Sequence, residues 1–138
     1  MANEWVKVEL YGQNNDGCPR RYNCASGTAI TKGTLMVLTD PRTAAAHAVG
    51  GYNNIIAGVA AAGKSATDHA DTIACWTDGI FEAVASLAIT IGNPIMASGT
   101  ANCVTTADVP TVCSGAALIG YALEDASAVE TINVRLRL

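Results

Sequence analysis

Ala29-Ile30-Thr31-Lys32-Gly33 recurs as Ala88-Ile89-Thr90-Ile91-Gly92, and the segments downstream of the two copies also match. The first copy leads to Ile56-Ala57-Gly58-Val59-Ala60, a polar loop and Asp71-Thr72-Ile73-Ala74-Cys75. The second leads to Leu118-Ile119-Gly120-Tyr121-Ala122, a polar loop and Glu130-Thr131-Ile132-Asn133-Val134. A chain of 138 residues is one domain in length. The repeat therefore predicts two similar halves within it, about 26–84 and 85–138, sharing the body 22–138. Residues 1–21 lie outside as an arm and loop.

The repeat also decides how to read Gly58-Val59-Ala60-Ala61-Ala62-Gly63-Lys64-Ser65, a full match to the phosphate-loop pattern G-x-x-x-x-G-K-[ST]. In that motif backbone amides and a following helix hold phosphate, the lysine neutralises it and the hydroxyl binds magnesium. Here the next apolar run, Thr72 to Trp76, reads as a strand, and no room is left for the helix. Gly58 corresponds to Gly120, whose continuation Leu123-Glu124-Asp125-Ala126-Ser127 carries acids and no Gly-Lys-Ser. A glycine that recurs without the motif marks a bulge or a close backbone approach. Gly58, Gly63, Lys64 and Ser65 are accordingly read as a decoy, and no cofactor is expected. A nucleotide-binding protein using Gly58–Ser65 is the competing reading.

The rest of the chain is short apolar runs between turns. Trp5–Tyr11 alternates, with Val6, Val8 and Leu10 against Lys7 and Glu9, and predicts a half-buried strand. It either completes its own sheet or adds to a partner's edge. Gly12–Arg21 is dense in turn formers and predicts a loop. Thr34–Thr39 reads as a strand stopped at Asp40-Pro41. Thr43–Val49 reads as a short helix from its alanines, with His47 as a surface or packed histidine. Thr77-Asp78-Gly79 is read as a glycine bulge in one bent strand rather than a hairpin turn. Ser98–Ala116 reads as loop with strand pieces around Val104 and Val112. Thr131–Leu138 alternates most clearly of all. Together these predict an all-β barrel or sandwich.

Composition narrows the function classes. Charged residues are 14% of the chain and net charge is −4, with no basic stripe interleaved with aromatics, so no nucleic-acid partner is expected. No apolar run approaches a membrane span, and Met1–Trp5 does not open a signal peptide. Synthesis and use without Sec-type export are expected. The five cysteines, Cys18, Cys24, Cys75, Cys103 and Cys113, form no C-x-x-C pair, and His47 and His69 are not at zinc spacing. No metal site is expected. Cys18 with Cys24, or Cys103 with Cys113, could close small loops, while buried thiols are the preferred reading. Ser65, His69 and Asp71 share one polar loop, which is not how a catalytic triad is assembled. No catalytic residues are assigned.

Ile30–Val37, Ile56–Ala60, Asp78–Glu82 and above all Gly120–Ser127 with Thr131–Leu136 resemble the capsid decoration (cement) proteins of tailed bacteriophages. Gly33–Leu38 and Pro41–Ala44 more distantly resemble the head decoration protein of phage lambda. The resemblance spans about Ser26–Leu138; the Gly12–Arg21 loop and the Gly-Lys-Ser after Gly58 depart from it. It implies a β-tulip or β-barrel protein without catalysis. It further implies homotrimers, made in the host cytoplasm and carried on the outer capsid surface of the virion at local threefold axes, with the major capsid protein as partner. An N-terminal arm of Trp5, Val6, Val8, Leu10 and Tyr11 would contact the capsid. Another virion module, such as a tail-tube or fibre domain, or a carbohydrate-binding domain, is the remaining alternative; few aromatics argue against sugar stacking.

Overall fold

The repeat is visible as two five-stranded rings of one topology in the computed structural model, which describes residues 3–40, 42–48, 54–107 and 117–138. Eleven strands run in order: β1 Val6–Leu10, β2 Arg20–Asn23, β3 Leu35–Asp40, β4 Thr43–Ala46, β5 Ile56–Ala60, β6 Thr72–Trp76, β7 Asp78–Ala85, β8 Pro94–Ala97, β9 Cys103–Thr106, β10 Leu118–Ala122 and β11 Thr131–Arg137. The fold is all-β, and no helix occurs among the described residues.

The first ring runs β2-β4-β3-β5-β6 and closes through a parallel contact, Asn23 opposite Thr43. The second runs β7-β11-β10-β8-β9 and closes through the matching parallel contact of β7 with β9. β3, β4, β5 and β6 thus correspond to β8, β9, β10 and β11, and β2 corresponds to the C-terminal part of β7. The isolated bridge of Ile30 with Lys64 is repeated by Ile89 with Ala126. Closure removes the open edges that make small sheets sticky.

Gly58 and Gly120 do what a repeated strand glycine is expected to do. The β3–β5 and β8–β10 ladders each slip by one residue beside them. The extra residue resets the inside–outside alternation. Ala57 and Ala60 both face the first barrel's interior, with Met36, Ala44, Ile73 and Cys75. Ile119 and Ala122 likewise share the core beyond Gly120, and Tyr121 between them is 38% exposed. Gly58 adopts φ +147, and a Cβ there would strike the Trp76 carbonyl oxygen; one at Gly120 would strike that of Arg135.

The two interiors differ. The first is lined mainly by Ala and Cys. The second is built from Phe81, Ile95, Val104, Ile119, Ile132, Val134 and Leu136. Leu35, Ile56, Val59 and Trp76, on the outer side of the first barrel's strands, join that second cluster and fuse the barrels.

Asp78-Gly79 makes no hairpin, and the glycine bulge expected in one bent strand is not there either: Gly79 pairs in regular register with Leu136, and β6 and β7 belong to different rings joined by Thr77 alone. Thr77 N–H donates to Gly17 O (2.9 Å), its Oγ1 donates to Cys18 O (2.7 Å), and its carbonyl accepts from Leu138 N (3.1 Å).

Three further expectations are corrected. Thr43–Val49 does not form a helix: Thr43–Ala46 is strand β4, paired along β3, and Ala44 is buried in the barrel. Ladder pairing and burial override the helix preference of alanine. Gly12–Arg21 is not loop throughout, because Arg20 and Arg21 already pair with Cys75 and Ala74 of β6. The strand β1 is not half-buried: Val6 is 55% and Val8 51% exposed, and only Leu10 is partly covered. Around Val104 a strand does form, within an expected loop; Val112 and Cys113 lie outside the described residues.

Candidate interaction surface

The arm is held at its root. Trp5 is 3% exposed and packs against Phe81, ring centroids 6.0 Å apart. Its Nε1 donates to Asn102 O (2.9 Å) and its backbone N–H to Gly33 O (2.8 Å). Asn102 is fully buried with φ +62, a left-handed conformation that asparagine tolerates. Its Oδ1 accepts from Leu35 N (3.0 Å) and its N–H donates to His47 Nδ1 (3.0 Å). His47, expected as surface or packed, is fully buried. One residue from the second barrel thus fixes the start of β3, the end of β4 and the arm. A lone asparagine in a Thr/Ala/Ser-rich stretch gives no sign of this.

Beyond Trp5, β1 pairs with β7 over Gly79–Glu82, on the edge where β9 also pairs, at Val84 and Ala85. The arm lies on its own chain's sheet, with a bulge between Lys7 and Glu9. Tyr11 stacks on Arg135, 4.5 Å from guanidinium carbon to ring centroid, and Arg135 pairs with Asp78. Partial burial and the neighbouring Glu9 carboxylate push the Tyr11 hydroxyl above its ordinary pKa. Lys7 and Lys32 both reach the Trp76 ring, at 5.9 and 5.6 Å. Of the five arm residues, Val6 and Val8 are exposed, Trp5 is the anchor, and Leu10 and Tyr11 are partly covered.

The phosphate-loop match has a different geometry from its motif. No helix follows Ser65. Lys64 Nζ donates to Ala25 O (2.8 Å) and Ser26 O (3.2 Å), tying two loops together. Ser65 donates its amide and its hydroxyl to Asp68, both at 2.8 Å. These bonds hold the Asp68 carboxyl below the usual range. The same turn recurs without lysine, where Ser127 N–H donates to Glu130 Oε2 (2.7 Å). Lys64→Ala is expected to change stability by less than about 1 kcal/mol, the scale of one exposed polar contact. Calorimetric titration with ATP checks the competing reading: heat that appears for the native chain and vanishes for the variant overturns the decoy assignment.

Cys18, Cys24, Cys75 and Cys103 are all free thiols. Burial, with Cys24 adjacent, pushes the Cys75 thiol up to about 12. Burial also raises Cys103, against a lowering contact from Asn3. A native pKa above the ordinary value of 9.0 means that the folded chain keeps a proton which the unfolded chain loses. The Cys75 contribution is complete below pH 9 and fades as pH rises towards 12, at most about 1.4 kcal/mol per unit. Urea unfolding at stepped alkaline pH reads this loss; Cys75→Ala is expected to flatten it.

Two surface features remain. Arg20, Arg21, Arg42 and Tyr22 line a cavity of about 300 Å³ at the start of β2. Leu87, Ile91 and Val129 stand out at 62%, 57% and 78% exposure beside the Ile89–Ala126 bridge. Among the described residues no cluster of three or more His, Cys, Asp or Glu could hold a metal ion.

The sequence profile of the phage cement proteins matches residues 15–138, nearly the whole chain. The chain belongs to the phage cement protein family. A capsid-associated structural role comes with that membership. Among solved structures, the N-terminal base of the head fibre gp8.5 of bacteriophage phi29 is similar. It aligns with TM-score 0.54 and 14% identity over 86% of this chain and 92% of that one. At that identity the likeness speaks for the fold. No curated protein matches. The expected resemblance to cement proteins and the all-β repeated architecture are thus both found in this cement-family chain.

Proposed function

We propose that this chain decorates the outer surface of a viral capsid as a homotrimer at local threefold axes, binds the major capsid protein and stabilises the shell without catalysis. The observation that carries the reading is the arm. It is fixed at Trp5 and displays Val6 and Val8, 55% and 51% exposed, on a strand paired on one side only. β-Branched side chains on a strand edge suit addition to another sheet. A cement needs contact area repeated by symmetry, and a charge-poor surface of Ala, Thr, Ser and Gly favours that.

The test is reconstitution. Purified protein added to expanded capsids lacking it is expected to bind and to raise their resistance to heat and osmotic shock. Val6→Ser with Val8→Ser is expected to weaken binding by about tenfold, near 1.4 kcal/mol. Particles that gain neither protein nor resistance overturn the reading. Density elsewhere than the threefold positions in a cryo-electron microscopy map overturns its placement.

A further inference from the structure

The two halves serve as controls for one another. Ile30 and Ile89 occupy the same bridge, and Ser65–Asp68 and Ser127–Glu130 make the same turn. Thr28, Lys32 and Thr67 of the first barrel therefore correspond to Leu87, Ile91 and Val129 of the second. All six positions are exposed. Matching turn positions, all exposed, are polar in one copy and apolar in the other. Val129 is also held at φ +64, a left-handed conformation unusual for a β-branched residue. Scattered exposed apolar residues need no explanation, but a cluster of three at one tip does. Carboxylates flank it: Asp125 Oδ1 accepts from Ile91 N (2.7 Å), and Glu130 follows Val129.

Charge is divided to match. Residues 20–76 carry five Lys/Arg and three Asp/Glu, net +2, whereas residues 77–138 carry two and six, net −4. Three of the chain's eight cations surround the first barrel's cavity of about 300 Å³ with Tyr22 in its wall. Among the described residues no carboxylate pairs with Arg20, Arg21 or Arg42. Arg42 Nη2 donates to Arg21 O (3.3 Å), holding one guanidinium over β2.

We infer that the acid-flanked apolar tip of the second barrel docks into the arginine-lined cavity of the first barrel of a second copy. The arginines meet Asp125 and Glu130, and Tyr22 meets the apolar side chains. Such a contact joins unlike faces, head to tail, and closes into a ring when the rotation permits. It rests on the self-association proposed for the cement role and names its two faces.

The experiment uses the full chain in sedimentation equilibrium. The native protein is expected to associate, more weakly at high salt as exposed charges are screened. Ile91→Lys places the residue of the matching position, Lys32, in the tip, so the turn accepts it. That variant, and separately Arg20→Glu with Arg21→Glu, is expected to weaken association at least about tenfold. Adding Asp125→Arg and Glu130→Arg to the Arg20→Glu, Arg21→Glu variant reverses the charge of both faces and is expected to restore association, which a folding defect would not do. Thermal unfolding checks that each variant is folded. A monomeric native protein, single-face variants that associate normally, or a folded charge-reversed variant that stays monomeric overturns the inference. Capsid binding separates the two proposals. Native protein that binds capsids but never self-associates sinks this inference and the homotrimer, and leaves the capsid-binding reading standing. Protein that associates by these faces but ignores capsids sinks only the cement reading.

Discussion

Gly58→Ala and Gly120→Ala are each expected to abolish or nearly abolish folding, with losses above about 3 kcal/mol from a total of about 5–15. Two physical effects add at Gly58. A Cβ would land on the Trp76 carbonyl oxygen and 2.9 Å from Cys75 Cβ, and φ +147 is a conformation L side chains rarely adopt. At Gly120 the obstacle is the Arg135 carbonyl, backbone of a paired strand that cannot rotate away. Relief requires separating β10 from β11, or β5 from β6, at the bulge that sets which residues face inward. Gly27→Ala is the control: it meets nothing within 4 Å and is expected to be neutral or slightly stabilising. Guanidinium unfolding midpoints compare all three. A Gly58→Ala protein unfolding with the native midpoint would remove the packing role assigned to this glycine.

Asn102→Ala is expected to cost about 2–5 kcal/mol. Leu35 N–H loses its buried acceptor, about 1–3 kcal/mol. The left-handed conformation costs alanine a further 1–2 or so. Asn102→Gly separates the two contributions, since glycine keeps the conformation and loses only the acceptor; it should recover about 1 kcal/mol of the loss. Because the Asn102 backbone carbonyl holds the Trp5 indole, a shift of this backbone out of its left-handed conformation in the alanine variant is expected to loosen the arm. Protease cleavage near Val6–Leu10 should quicken. If Asn102→Ala unfolds like the native protein and its arm stays resistant, the three-way contact is not what joins these elements.

The repeat and the paired glycines are legible in the sequence, because each leaves a local mark in spacing or residue type. Features that depend on distant chain segments meeting are not. β4 looks helical because its alanines carry a helix preference, while the pairing that makes it a strand lies along β3. The rings close through parallel contacts as small as Asn23 with Thr43, which no pattern announces. Arg42 joins Arg20 and Arg21 only through that closure. The arm's alternation reads as one buried face, yet no layer covers β1, so Val6 and Val8 face solvent.

Thr77 is the one residue between β6 and β7, where the chain passes from the first barrel to the second across a shared core, and it is held on three sides by Gly17, Cys18 and Leu138. A single residue so tethered leaves no slack for swivelling. Tension applied at either barrel is passed to the other directly, so the pair behaves as a stiff strut: a pull on one end is felt at once at the far end.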